Sequence, residues 1–94
     1  MIEWLEKEKD FEQVKEQNNK FLILFFYADF SSAAKRSLSE IEQFSKENKQ
    51  VPICIIDVVK ITGIHNQFGV EHIPTVLALH KGKVTKKEEG VESA

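Results

Sequence analysis

The chain has 94 residues, of which 41% are hydrophobic and 30% charged, and its formal net charge is −2. That length fits one domain with one modest core, and the composition excludes disordered and collagen-like proteins. The near-neutral charge argues against a nucleic-acid-binding protein, which would carry a basic excess on one face. The longest apolar run, residues 21–28, is too short to span a membrane, and the acidic N-terminus lacks the layout of a signal peptide. A single cysteine, Cys54, allows no internal disulfide, so we expect one soluble, cytoplasmic domain spanning residues 1–94.

The first part of the chain predicts a helix followed by a buried strand. Asp10 and Gln13 resemble a capping box at the start of a helix over residues 11–17. The segment Ile2 to Leu5 fits either a short edge strand or an earlier helical turn. Residues 21–27 are apolar at every position, which is typical of a central strand that is covered on both faces.

The middle of the chain predicts a helix and a second buried strand. Residues 32–48 contain an apolar stripe at helical spacing, formed by Ala34, Leu38, Ile41 and Phe44. Residues 51–57 are again almost wholly apolar, with Pro52 near the start, where a strand tolerates a missing N–H. Because the crossover between the two strands is long and helical, they should be parallel and the connection right-handed.

The last part of the chain predicts a short helix and an antiparallel hairpin. Residues 60–68 have a helical pattern that Gly69 closes, and residues 75–80 form the next apolar strand. A Lys81-Gly82 turn connects it to a strand over residues 83–89. The fold class is therefore α/β, with a mixed four- to five-stranded sheet and helices on both faces.

Two short motifs carry a resemblance to a known family. The first is FFYADFSSAAK at residues 25–35, and the second is FGVEHIPT at residues 68–75, followed by a Lys-Gly turn. Together they resemble the thioredoxin-like family, which has Trp-Cys-Gly-Pro-Cys-Lys after its buried strand and Tyr-Gly-Val-x-x-Ile-Pro-Thr later. The resemblance covers about residues 10–94 and implies a thioredoxin fold and, in catalytic members, thiol–disulfide exchange.

The sequence departs from the family pattern at the catalytic positions. On the resemblance, Ser31 takes the place of the nucleophilic cysteine and Ala34 that of the resolving cysteine. Phe25 stands where catalytic members keep a buried acid. The family reaction needs a thiolate that attacks a disulfide and a second thiol that resolves the mixed species. We therefore predict that this site is redox-inactive.

Another chemistry for Ser31 would need a neighbouring base, and the spacing brings no histidine to it. Serine is a preferred N-cap residue, so we expect Ser31 or Ser32 to cap the following helix. A serine at this position also resembles glutathione transferases, but those carry a second, helical domain that 94 residues cannot supply.

The remaining candidates for chemistry favour structural roles. Cys54 lies within an apolar strand and is expected in the core. The three histidines have no metal-ligand spacing, so we predict no metal and no cofactor. The lysines near residues 81–87 are followed by glutamates, which is typical of a solvated hairpin rather than an anion site.

Ile73-Pro74 is the best candidate for binding. The resemblance implies a cis bond there, and catalytic members pair the backbone before this proline with an extended substrate. We expect a surface formed by Phe30, Ser31, His72, Ile73 and Pro74, which binds a protein or peptide partner without covalent chemistry.

Two other functions stay open. The chain could be a thiol–disulfide oxidoreductase whose cysteines were replaced by mutagenesis, although Phe25 argues against it. It could also be a structural subunit of a larger assembly.

The family pattern continues into a final helix that is missing here, which would expose one sheet face. We therefore expect either a two-fold dimer bordered by the helix containing Leu38, Ile41 and Phe44, or a longer protein to which this chain belongs. In a monomeric chain, the segment Ile2 to Leu5 would fold over that face, with Trp4 filling the gap.

Overall fold

The computed structural model describes residues 1–93, and the side chains of residues 1–90. In chain order the elements are β1 (Ile2–Trp4), α1 (Phe11–Gln17), β2 (Leu22–Tyr27), α2 (Ser32–Glu47), β3 (Ile53–Asp57), α3 (Gly63–Gln67), β4 (His72–His80) and β5 (Lys83–Ser93). A single 3-10 turn precedes α1. The predicted order of elements is confirmed, and the N-terminal segment is a strand rather than a helical turn.

Within the described residues, the five strands form one mixed sheet in the order β1-β3-β2-β4-β5. Both β1 and β2 run parallel to β3, while β4 is antiparallel to β2 and β5 is antiparallel to β4. The predicted parallel pair and the predicted hairpin are therefore confirmed. At the centre of the sheet Phe25 lies between Ile55 and Val76.

Helices cover both faces of the central strand, which explains why β2 is apolar at every position. Ile23, Phe25 and Tyr27 point to the face on which α2 packs, and we call it the α2 face. The intervening residues of β2 point to the α1 face, where Phe26 contacts Phe68 from the end of α3. Both Phe25 and Phe26 are fully buried, as expected for a strand with two covered faces.

Turn chemistry sets the ends of the later elements. Gly69 follows α3 with φ 65°, and Gly82 in the hairpin turn has φ 78°, a region that favours glycine.

The predicted capping box is wrong, because Asp10 has helical backbone angles and its side chain accepts no capping hydrogen bond. β4 begins at His72, three residues earlier than predicted, since the chain stays extended through Pro74 at a register shift.

An apolar groove of about 460 Å³ lies on the α2 face, between α2 and the hairpin. Its apolar lining consists of Phe21, Ile23, Ile41, Phe44, Val76 and Ala78. Trp4 lies on this face but does not cover the groove, because its ring packs against Tyr27, with the ring centroids 5.5 Å apart, and it is not part of the groove lining. Trp4 therefore lies near the opposite edge of the sheet from the groove.

Candidate functional site

The topology brings the two sequence motifs to one end of the sheet. β2 and β4 are antiparallel, and Phe26 of β2 pairs with Thr75 of β4. The segment that follows Phe26 and the segment that precedes Thr75 therefore leave the sheet at the same end. Phe30 and Ser31 in the first segment therefore lie at the same end of the sheet as Pro74 in the second.

Ser31, one of the two serines that the sequence offered as a cap, is the N-cap of α2. Its Oγ accepts a hydrogen bond from the backbone N–H of Ala34 at 2.9 Å. The residue is 0% exposed, and Ala34 is equally buried. The hydroxyl therefore satisfies an otherwise unpaired N–H at the helix end, and its burial keeps it away from a substrate.

The cis-proline loop, at the irregular start of β4, contains a cis peptide bond between Ile73 and Pro74. Both residues are buried, and the Thr75 hydroxyl donates to the carbonyl oxygen of His72 at 2.6 Å. Gly90 of β5 lies so close that an added Cβ would come within 2.5 Å of the Pro74 Cδ. The loop is thus packed tightly against β5, and only a residue without a side chain fits at position 90.

His72 links this loop to β5 through a side-chain contact. Its Nδ1 lies 2.8 Å from Oε2 of Glu89, and the other carboxylate oxygen is 3.5 Å from Nζ of Lys87. The hydrogen bond with His72 is the main reason that the pKa of Glu89 falls below its usual value. Since β5 also pairs with Ile73, a partner strand has to approach the loop from the side of Phe30.

Only part of the predicted binding surface is accessible. Ser31, Ile73 and Pro74 are buried, whereas Phe30 is 59% exposed and His72 is partly exposed. The accessible side chains of the predicted surface are therefore the aromatic ring of Phe30 and the imidazole of His72.

Two further apolar side chains lie at the same end of the sheet and were missed from the sequence. Val59, just after β3, is 62% exposed, and Trp4, at the end of β1, is 45% exposed. The N–H of Val58 donates to the carbonyl oxygen of Tyr27 at 2.9 Å, which holds this segment beside the end of β2. The carboxyl ends of parallel strands lie at the same end of a sheet. Both residues lie at or just after the carboxyl end of a parallel strand, β1 or β3, so this rule could have predicted their position from the sequence.

Tyr27 and Asp29 form a polar contact next to this surface. The Tyr27 hydroxyl donates to Oδ1 of Asp29 at 2.7 Å. This hydrogen bond, together with burial, raises the pKa of Tyr27 to about 12. Phe25, two residues earlier on the same face, is 0% exposed and lies between Ile55 and Val76. Its in-register neighbours on both sides are therefore apolar, and its own side chain has no acid group.

Cys54 lies apart from this site. It pairs in register with Leu24, so its side chain points to the α1 face, opposite to Phe25. Burial is the main cause that raises the pKa of its thiol to about 12. A buried thiol with so high a pKa carries almost no thiolate at neutral pH. The expected core role of Cys54 agrees with this position.

The described residues contain no group of three or more His, Cys, Asp or Glu side chains that could hold a metal ion. Among the same residues, no helix is both long and apolar enough to cross a membrane. His65 and His80 lie away from the candidate surface, on α3 and at the end of β4.

The mixed sheet, the cap of α2 at the end of β2 and the cis-proline loop beside it define a small α/β domain with the thioredoxin fold. The chain matches the thioredoxin family over residues 3–94, and it therefore belongs to that family.

Solved structures agree in fold. The thioredoxin of Fasciola hepatica has a TM-score of 0.86 at 20% identity, with 93% of this chain and 85% of that chain covered. The thioredoxin of Nicotiana alata has a TM-score of 0.87 at 22% identity, with 93% and 78% covered. A curated relative, monothiol glutaredoxin-4 of Schizosaccharomyces pombe, is 29% identical over 76 residues, which are 79% of this chain. This chain spans only 31% of the length of that relative.

Proposed function

We propose that this chain is a thioredoxin-family domain without disulfide exchange, which binds a protein or peptide partner at the end of the sheet. The observation that carries the proposal is the state of Ser31. Its hydroxyl is buried and caps α2 at the position where the family resemblance places a nucleophilic cysteine. Serine cannot form the mixed disulfide on which the family reaction depends.

The neighbourhood of Ser31 supports the same proposal. Ala34, in the position of a resolving cysteine, has no side-chain group that could release a mixed disulfide. Phe25 provides no acid for proton transfer. The remaining thiol, Cys54, is buried on the α1 face and is held protonated by its raised pKa. Three of the groups that disulfide exchange needs are therefore absent from this site.

Partner binding is supported by the exposed apolar side chains at this end of the sheet. Phe30 and Val59 are each more than half exposed, and a large exposed aromatic side chain is a common anchor in protein interfaces. The cis-proline loop at the start of β4 is fixed by Gly90 and by the contact between His72 and Glu89, so the surface is preorganised. We propose an extended peptide that places an apolar side chain against Phe30.

The redox part of the proposal is tested by insulin reduction with dithiothreitol. We expect no rate above that of dithiothreitol alone. Introducing Ser31→Cys together with Ala34→Cys should give only weak activity, because Phe25 cannot relay a proton for the second thiol. Robust turnover by the unaltered chain would contradict the proposal.

The binding part is tested with peptides selected from a random peptide library on the immobilised chain. Phe30→Ser should weaken binding of the selected peptides at least tenfold. Phe44→Ser is the matched control, because Phe44 is also exposed but lies on the apolar groove between α2 and the hairpin. Equal loss with both variants, or none with Phe30→Ser, would place the binding site elsewhere.

The alternative function is a thioredoxin whose two cysteines were replaced. The family match and the fold are consistent with it. The natural gene sequence at positions 31 and 34 separates the two, since cysteine codons there would favour the oxidoreductase. The similarity to a monothiol glutaredoxin leaves room for a role within a longer protein. We propose neither a metal nor a cofactor for either function, and the cytoplasmic location stays a prediction.

A further inference from the structure

The outer edge of β5 is a candidate interface that the partner site does not use. β5 is the last strand of the sheet and has 11 residues, whereas β1 at the other edge has 3. Proteins usually keep edge strands short or blocked, because their unpaired backbone groups can pair with another chain. We propose that two copies of this chain associate through β5, antiparallel, so that their sheets become continuous across a two-fold axis.

The order of charges along β5 identifies a second copy as the partner. Lys86 and Lys87 are followed directly by Glu88 and Glu89, and all four side chains are exposed. An edge strand whose side chains all carried charge of one sign would repel the same strand of a second copy of the chain. Here the basic half precedes the acidic half, so an antiparallel copy brings opposite charges together. Opposite charges across neighbouring strands stabilise their pairing.

Symmetry restricts how the two strands align. Directly opposite residues in an antiparallel pair point to the same face of the sheet. A two-fold axis normal to the sheet must therefore pass midway between one residue and the same residue of the partner subunit, and we describe that residue as lying on the axis. With Lys87 on the axis, Lys86 of each chain faces Glu88 of the partner subunit on the α2 face. Glu89 remains bound to His72 and lies 3.5 Å from Lys87, where it offsets the two lysines at the axis.

The neighbouring alignment is less favourable. With Glu88 on the axis, two copies of this glutamate would face each other. Lys87 would then face Glu89 of the partner subunit, in competition with the existing contact between Glu89 and His72. The strand is regular from Lys86 to Glu89, because the two register shifts of the hairpin lie on either side of these positions, between Val84 and Lys86 and between Glu89 and Glu92. We therefore place Lys87 on the axis.

Charge reversal tests this interface. Sedimentation velocity of the 94-residue chain from about 10 µM to about 1 mM covers the range in which a small interface dissociates. Lys86→Glu or Glu88→Lys each creates two like-charge pairs, so the dissociation constant of the dimer should rise about tenfold or more. In an equimolar mixture of these two variants, each reversed side chain faces an opposite charge on the other chain, and dimers should form again.

Two controls make the test decisive. Phe44→Glu alters the apolar groove and should leave the dimer unchanged, which separates edge pairing from association through that groove. Lys87→Cys should form a disulfide between two chains on mild oxidation, faster than Glu88→Cys, because position 87 faces itself. Any one of four results would overturn the proposal. These are a strictly monomeric chain, loss of the dimer with Phe44→Glu, no recovery of dimers in the mixture, and faster cross-linking by Glu88→Cys than by Lys87→Cys. Recovery in the mixture with an unaffected Phe44→Glu variant would support it.

Discussion

Removing the hydroxyl of Ser31 should destabilise the domain, because that hydroxyl acts as a helix cap. Ser31→Ala leaves the N–H of Ala34 without its 2.9 Å acceptor. Loss of an N-cap serine costs about 0.5–2 kcal/mol. Ser31 is 0% exposed, so water cannot easily replace the oxygen, and we expect the upper part of that range, about 1.5–2 kcal/mol. For a domain of this size the loss corresponds to a decrease in melting temperature of roughly 6–16 °C.

The matched control for this prediction is Ser32→Ala. Ser32 is the next residue, is exposed and is the first residue of α2, where alanine is well tolerated. Urea unfolding followed by circular dichroism should show a clear loss of stability for Ser31→Ala and almost none for Ser32→Ala. If the two variants were equally stable, or if Ser31→Ala matched the unaltered chain, the capping role of Ser31 would be refuted.

Three further predictions concern single side chains. Tyr27 is the only tyrosine, so its ultraviolet titration should show ionisation only near pH 12, and Asp29→Asn should move the midpoint back towards 10; an unchanged midpoint would contradict the hydrogen bond. Cys54 should react with Ellman's reagent at pH 8 only after denaturation, since burial raises its pKa to about 12, and rapid reaction of the native chain would refute its core position. The contact with His72 lowers the pKa of Glu89. The stability that this contact contributes should therefore be present at neutral pH and lost as the pH falls through the lowered pKa. Glu89→Gln should remove this part of the acid dependence of stability.

Local sequence patterns predicted most of the secondary structure. The helix over residues 11–17 is α1 with the same bounds, and α2 ends one residue earlier than predicted. The Lys81-Gly82 turn and the end of a helix just before Gly69 were also predicted, because positive φ angles favour glycine wherever the chain must turn in that way. The helix itself, α3, begins at Gly63, three residues later than predicted. The capping box at Asp10 failed, since a 3-10 turn had already given that residue helical backbone angles.

Contacts between residues that are distant in the chain could not be predicted from local sequence patterns. His72 and Glu89 are 17 positions apart and meet only because β4 and β5 pair in one particular register. The close approach of Gly90 to Pro74 depends on the same pairing. The position of Val59 and Trp4 at the same end of the sheet as Phe30 depends on the order of the parallel strands, and a pattern within one strand carries no information about that order.

The sequence by itself determined the α/β fold class, the buried central strands and the presence of Ser31 and Ala34 where the family resemblance places cysteines, because these depend on residue type and short-range periodicity. The tertiary structure decided which of the proposed binding residues a partner can reach. Ser31, Ile73 and Pro74 are buried by α2 and by the neighbouring strands, while Phe30 stays exposed. Burial is set by how separate elements pack together, and that packing involves residues too far apart in the chain for any local pattern to encode.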